Sequence, residues 1–307
     1  MKIVTDMQAL GNFDGVHLGH QKLIRTMVAD VKRSGGQSVV FSFHPHPMEV
    51  LKGKSPAWLT AQTEKEMLAA RLGVDYFCRY PFDETIAAMP PRAFVERILY
   101  DALAASHVYV GYNYSFGFRG AGDVTALKQY CAEYGIGVTV IEPVISSYGP
   151  ISSSLIREKL LHGETVAANT MLGYCYFMQG VVEHGRQVGR QLGFATANLA
   201  VRRQSQLPAY GVYAAYFQWR GGFWPTVANV GMRPTFGQFE NPVVEAHLLD
   251  FDGDLYDEKA ILHFVERLRG ECPFPNKDAL IAQMTKDKEQ ARAILMDGSL
   301  RTYYPNL

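Results

Sequence analysis

The sequence predicts two domains of different class: an α/β domain on a doubly wound parallel sheet, then an all-β antiparallel barrel with a terminal helix. Three observations predict this. Strand-like and helix-like segments alternate through the first half, the pattern of parallel βαβ units. From Tyr174 the segments are short, glycine-punctuated and strand-like. The last periodic stretch, Lys277 to Met296, reads as a helix. At 307 residues the chain is long for one core. The change of pattern divides it into 1–174 and 175–307, with 158–174 as a connector.

The opening strand draws on Ile3, Val4, Met7, Ala9 and Leu10. The helix after it carries Leu23, Ile24, Met27, Val28 and Val31 at helical spacing. Between them lies GNFDGVHLGH (11–20). Gly11 and Gly15 allow a tight path, and Gly19 removes a side chain where a ligand could come close. His17 and His20, three apart, share a face once the helix has begun. A helix start offers free N–H groups and a positive dipole end, which suit phosphate. Two imidazoles there can donate hydrogen bonds to a phosphoryl group gaining charge in its transition state. Taken alone, such a pair is more often a surface or satisfied one. A zinc site needs a third ligand, and the sequence declares none.

Gly35-Gly36 breaks the helix, and SVVFSF (38–43) reads as a buried strand. HPHP (44–47) follows as an extended loop, which puts His44 and His46 just past the carboxyl end of that strand. Thr60 to Leu72 is helical and stops at Gly73. VDYFCRY (74–80) is a strand and residues 90–103 a helix. HVYVGYNYSFGFRGAG (107–122) begins as a strand and becomes a loop. If extended, it puts Tyr112, Tyr114, Phe116 and Phe118 on one face, as core or as a platform for a flat ring. A helix over 123–134 and a strand over 136–144 follow. In ISSSLIREKLLHGE (151–164) three serines open a helix, with Ser152 or Ser153 as cap. Arg157 opposes the dipole there unless an anion shares the helix end. The first turn has no G-x-G-x-x-G and no acidic ribose partner, which speaks against a Rossmann dehydrogenase.

Composition bounds the function. Lys plus Arg number 30, as do Asp plus Glu, so no global field favours nucleic acid or a membrane surface. The four cysteines are far apart and form no metal or redox motif, as expected of reduced thiols in a cytoplasmic protein. No window is apolar enough to span a bilayer, and the N-terminus lacks a signal-peptide core.

The first half resembles the H-x-G-H nucleotidylyltransferases through GNFDGVHLGH and the late SSSLIR. More narrowly, FDGVHLGH, FSFHPHP, VGYNYSFG and SSSLIR in this order resemble the adenylyltransferase module of bacterial bifunctional riboflavin kinase/FAD synthetases. The resemblance implies that His17 and His20 stabilise the α-phosphate of ATP. It places Asn12, Phe13, Asp14 and Gly15 at the nucleotide, and Ser153, Ser154 and Arg157 at the outer phosphates. His46 and Asn113 fall near the flavin phosphate. The chemistry agrees, since the phosphate of FMN is already a nucleophile and needs positioning and charge stabilisation, not a base. Ser154 stands where the family usually has threonine and keeps the hydroxyl.

In the second half, YFMQGVVEHG, GVYAAYFQWRGG, WPTVANVG and VVEAHLLDFDGDLY read as strands, with a hairpin at Arg220-Gly221-Gly222. Two patches carry chemistry. GRQVGRQLGFATANL (185–199) suits phosphate without being a Walker A loop, and Thr196 and Asn198 offer two oxygens on one side of an extended segment, as magnesium accepts. Alone, this patch reads as an ordinary polar loop. In VVEAHLLDFDGDLYDE (243–258), Val244, Ala246 and Leu248 alternate as a core face, which turns Glu245 and His247 the other way. A carboxylate there is solvated or a general base for an alcohol attacking ATP.

GRQLGFATAN, GVYAA, NVGMRPTF and VEAHLLDFDGDLYDE resemble the riboflavin kinase module. That resemblance implies Thr196 and Asn198 on Mg2+-ATP, with Gly189, Arg190 and Gly193 in a flap over its phosphates. Glu245 takes the proton of the ribityl 5′-hydroxyl. Ala195 replaces the family's proline and loosens the flap's backbone. The expectation is a bifunctional enzyme that phosphorylates riboflavin to FMN and adenylylates FMN to FAD. Two alternatives stand beside it: a riboflavin kinase whose first domain is inactive or uses another substrate, and a flavin- or nucleotide-binding regulator without turnover.

Overall fold

Five strands, β1 (Met7–Leu10), β2 (Ser38–His44), β3 (Tyr76–Pro81), β4 (His107–Gly111) and β5 (Gly137–Ile141), form an all-parallel sheet in the order β3-β2-β1-β4-β5. The computed structural model describes residues 7–183, 197–232 and 242–296. The chain divides into two units, Met1–Ser153 and Ser154–Leu307.

In the first unit α1 (Leu18–Ser34) buries Leu23, Ile24, Met27, Val28 and Val31, the stripe its spacing predicts. It ends at Gly35, whose φ of 78° suits glycine. A short α2 (Pro47–Lys52) begins inside the stretch expected as loop, because Pro47 at its first position needs no N–H partner and His46 caps it. Next come α3 (Gln62–Arg71) and α4 (Glu84–Ala87). The expected helix over 90–103 is α5 (Pro91–Phe94) running on as a π-helix over Val95–Ala102. Its wider turns bring Phe94, Val95, Ile98 and Leu99 onto the core, where Phe41, Val108, Val110, Leu127 and Cys131 meet them. Helix α6 (Val124–Glu133) and a ribbon of β6 (Ile145–Ser146) and β7 (Gly149–Pro150) complete the unit.

The aromatic segment after β4 is not extended. It turns at once, so Tyr112 and Phe118 are exposed while Phe116 is buried, and Tyr114 stacks on Phe116 at 5.8 Å. The four rings therefore form no common platform.

The division between units falls at the first residue of α7 (Ser153–Leu161), so α8 (Thr165–Leu172) lies in the second unit. There β8 (Phe177–Glu183), β9 (Ala197–Val201), β10 (Gly211–Trp219), β11 (Gly222–Met232), β12 (Pro242–Leu248) and β13 (Lys259–Arg269) close into an antiparallel barrel, β10-β11-β12-β9-β8-β13. The β10–β11 hairpin turns at Arg220 and Gly221, both at positive φ, the conformation such a tight turn needs. The terminal helix α9 (Lys277–Met296) packs Ala291 and Leu295 against Cys175, Ala214, Tyr216 and Val265. Strand β13 bulges near Val265. Asn169 of α8, fully buried, donates to the Phe264 and Val265 carbonyls at 2.9 and 3.2 Å, and accepts from Tyr176 N–H at 2.7 Å. One side chain thus satisfies carbonyls at the irregularity in the ladder and ties α8 to the barrel.

Candidate active sites

In the first unit the strand order reverses direction beside β1, the position where open α/β sheets bind ligands beyond their carboxyl ends. Three loops meet that edge from neighbouring strands: 11–17 after β1, Pro45–His46 after β2, whose last residue is His44, and Tyr112–Asn113 after β4. The loop after β1 is held in an unusual backbone, with Phe13 at φ 50°, Gly15 at φ 80° and Val16 at φ 33°. Non-glycine residues occupy that region only where their surroundings impose it, and here the surroundings are dense. Gly15 N–H donates to Thr60 Oγ1 at 2.8 Å, and Asp14 accepts from Leu59 and Thr60 N–H at 3.3 and 3.0 Å. Ser153 Oγ donates to the Asp14 carbonyl at 2.8 Å. Phe13 and Asp14 are buried, while Asn12 is exposed. The turn can therefore offer a ligand backbone from 13–15, and side chains at Asn12 and beyond.

His17 is the N-cap of α1, its Nδ1 accepting from His20 N–H at 3.4 Å. That nitrogen carries no proton in the neutral ring, so the proton sits on Nε2 as a donor. The His17 and His20 rings stack at 3.7 Å, and Phe13 meets His20 edge-on at 5.2 Å. Gly19 serves this stack: a Cβ there would lie 3.1 Å from the His17 ring, so the space its missing side chain leaves is taken by His17 and not by a ligand. Burial pushes the His17 imidazole down to about 4, against the pull of Asp14. Burial also holds His20 well below its usual value, with His17 and Lys65 adding repulsion. Both rings are neutral at pH 7, and His20 Nδ1 is buried without a partner. His46 uses Nδ1 to cap α2, accepting from Met48 N–H at 3.2 Å. Asn113 is exposed beside Gly111. Ser154 and Arg157 follow in the first turn of α7 and belong to the second unit.

The second unit builds its site from a row of residues around the barrel. Asn198 of β9 is in register with Glu245 of β12, Glu245 with Asn229 of β11, Asn229 with Val212 of β10, and Val212 with Arg269 of β13. Residues directly opposite on neighbouring strands share a face. Glu245, Asn229, Val212 and Arg269 accordingly line one cavity of about 300 Å³, together with His247, Val227, Glu271, Cys272, Phe274 and residues of α9. Val244, Ala246 and Leu248 are buried on the other face of β12, as their alternation predicts. The cavity wall hangs on Arg269. Its guanidinium grips Asp287 of α9 through Nε at 3.1 Å and Nη2 at 2.8 Å, and Nη1 donates to the Gly270 carbonyl at 3.0 Å. Asp287 is 2% exposed and also accepts from Gln283 at 2.8 Å. Glu271 lies over Gly231, where any Cβ would come within 2.3 Å of its carboxylate.

Two family models divide the chain between them. Residues 4–155 match FAD synthetase and residues 172–295 match riboflavin kinase. A curated bifunctional riboflavin kinase/FMN adenylyltransferase of Listeria monocytogenes is 37% identical over 292 residues, covering 94% of this chain and 92% of the relative. The chain belongs to the bifunctional riboflavin kinase/FMN adenylyltransferase family. Relatives of the same name in Bacillus subtilis and Escherichia coli K12 are 34% and 35% identical, covering 93% and 92% of this chain and 91% and 90% of their own. A crystal structure described as a macrolide-efflux protein of Streptococcus pneumoniae superposes with a TM-score of 0.87 at 29% identity over 95% of both chains. Among the described residues no helix is long and apolar enough to cross a membrane.

Within this bifunctional family assignment, the predicted residues fall into two groups. Asn12 to Gly15, His17, His46 and Asn113 come from loops at one sheet edge, and His20 from the first turn of α1. Glu245 and Asn198 are neighbours in the barrel row. Gly189, Arg190, Gly193, Ala195 and Thr196 lie outside the described residues. Sequence reasoning missed Lys65, Thr60, Asn229, Arg269 and Asp287. Asn229 sits in a quoted strand, yet only register reveals that it faces Glu245. Arg269 and Asp287 pair across 18 residues at a strand end, with no local signal.

Proposed function

We propose that the second unit phosphorylates riboflavin to FMN with ATP, and that the first transfers the adenylyl group of a second ATP to FMN, giving FAD and pyrophosphate. The modules run over 1–174 and 175–307, with 158–174 as connector; α8 of that connector is anchored to the barrel through Asn169. The observation that carries the kinase reading is that Glu245 and Asn229 line one cavity, with Asn198 in register beside Glu245.

In the kinase, Glu245 accepts the proton of the ribityl 5′-hydroxyl as its oxygen attacks the γ-phosphorus. The cavity beside Glu245 is walled by Arg269, Phe274 and α9. Side-chain oxygens at this row suit magnesium, a hard cation that takes carbonyl and hydroxyl ligands beside substrate phosphates. Asn198, with Thr196, would hold it, and the ion would neutralise phosphate charge. Gly189, Arg190 and Gly193 belong to the phosphate flap.

In the adenylyltransferase, the phosphate of FMN attacks the α-phosphorus of ATP. His17 and His20 act on the α-phosphate oxygens as neutral hydrogen-bond donors, preorganised by their stack and by the turn. Asn12, Phe13, Asp14 and Gly15 shape the nucleotide side, chiefly through backbone. Ser154 and Arg157 take the outer phosphates with Ser153, whose hydroxyl also holds the turn. His46 and Asn113 receive the phosphate of FMN. Free thiols suit a cytoplasmic setting.

The test is a product assay on riboflavin plus Mg-ATP, separating flavins by chromatography. FMN followed by FAD is expected. FMN without FAD favours a kinase with an inactive or differently directed first module, and neither product favours a binding protein.

A further inference from the structure

Lys65 is 9% exposed and sits in the first turn of α3. Each feature has a cost that the hydrogen bond of Lys65 must offset. Burial strips an ammonium group of water, and a cation at a helix start meets the positive end of the dipole. A methionine of similar length avoids both costs. What the position does provide is access to the turn after β1. Asp14 binds the Leu59 and Thr60 amides, and Glu64 accepts from Ala61 N–H at 2.6 Å, so the start of α3 is locked against that turn. From there Lys65 Nζ donates to the Asn12 carbonyl at 3.0 Å. The Asn12–Phe13 peptide leads into the left-handed backbone of Phe13, whose ring packs on His20.

We propose that Lys65 is a positioning residue for adenylyl transfer: it holds the Asn12 carbonyl, and through it the Phe13–His20 contact, and it brings an ammonium group to the turn that carries the histidine pair. The inference rests on assigning adenylyl transfer to this turn. Neutral imidazoles donate hydrogen bonds but bring no net charge, and in a water-poor site a fixed ammonium favours the charge developing on the α-phosphate. His20 is faced by His17 and Phe13 on its own loop and helix and by Lys65 from α3. Removing the lysine charge therefore makes its ring easier to protonate.

The experiment uses the full chain with Lys65→Met and Lys65→Arg. FAD formation from FMN plus ATP is measured beside FMN formation from riboflavin, thermal melting, and a pH titration of His20 by 15N NMR. Lys65→Met is expected to lower kcat for FAD by about 10-fold or more, with KM for FMN within about twofold. FMN formation is unchanged, the first unit melts no lower, and the His20 titration moves up in pH. Lys65→Arg keeps the charge and most of the rate. FAD formation by Lys65→Met within about twofold of the unmodified chain overturns the proposal. So does a rate loss matched by earlier melting, which assigns Lys65 to folding alone. If the unmodified chain makes no FAD, the assignment of the reaction falls as well.

Discussion

The two sites are built on opposite plans. The histidine part of the first-unit site is local: His17, His20 and the strained turn that seats them lie within ten residues, and α3 and Ser153 brace it from outside. The second-unit site is distributed: one layer of the barrel takes Asn198, Glu245, Asn229, Val212 and Arg269 from five different strands. A local site tolerates drift in the rest of the sheet but depends on a few exact backbone angles. A layered site depends on every register being right, the irregular step beside Val212 and Arg269 included, because a one-residue slip turns its side chain to the other face.

The strongest break in this comparison removes the acting groups. Glu245→Ala should cut FMN formation by about 10²–10⁴-fold, as for loss of a general base, and leave FAD formation from supplied FMN intact. His17→Ala with His20→Ala should abolish FAD formation by at least about 10²–10³-fold and spare the kinase. Assays with riboflavin and FMN supplied separately check both. A variant that loses both activities equally would contradict separate sites.

Next in size is the wall of the layered site. Arg269→Met leaves Asp287, 2% exposed, without its bidentate partner. Breaking such a pair from one side costs about 3 kcal/mol. Urea unfolding should show a lower midpoint for the second unit, and KM for riboflavin should rise as the 270–276 wall loosens, while FAD formation from FMN is unaffected. Replacing Arg269 and Asp287 together by Met and Leu should restore much of the stability without restoring KM.

Acid should act on the local site. With the His17 imidazole at about 4 when folded and near 6.5 when unfolded, the unfolded chain binds more protons between those values. Stability from this group is complete above pH ~6.5 and is lost as pH falls toward 4, by about 3 kcal/mol in all; the depressed His20 adds in the same direction. Melting of the first unit followed from pH 7 to 4.5 should fall more steeply than in His17→Gln, and FAD formation should stay level from pH 6.5 to 8, since neutral rings do not titrate there.

What was legible in the sequence follows the same contrast. The alternation of strand and helix, the α1 stripe, the hairpin at Arg220-Gly221-Gly222 and the alternating face of β12 came from periodicity and turn chemistry, which are local. So did the histidine turn. The cap on α2 and the π-helical run over Val95–Ala102 were not visible, because nearby prolines read as loop and the wider helix keeps an ordinary apolar rhythm. Tyr112 to Phe118 misled for the opposite reason: alternation predicts a face only if the chain stays extended, and the turn after β4 ends that. Asn229, Arg269 and Asp287 needed register and tertiary pairing. The role of Lys65 needed α3 docked on the turn.

The finest test of the local plan is Gly19→Ala. The added methyl would stand 3.1 and 3.2 Å from Cε1 and Nδ1 of His17, close enough that the ring must give by a few tenths of an ångström. Alanine suits the helix better than glycine by about 1 kcal/mol, so stability should hold or rise slightly. The His17–His20 stack at 3.7 Å has no such slack, and Nε2 of His17 would swing away from the position that the cap at Nδ1 now fixes. FAD formation should therefore drop by about 10-fold or less, in kcat more than in KM for ATP, at unchanged melting temperature. A Gly19→Ala chain with full activity would show that the stack is incidental and that His20 alone meets the phosphate.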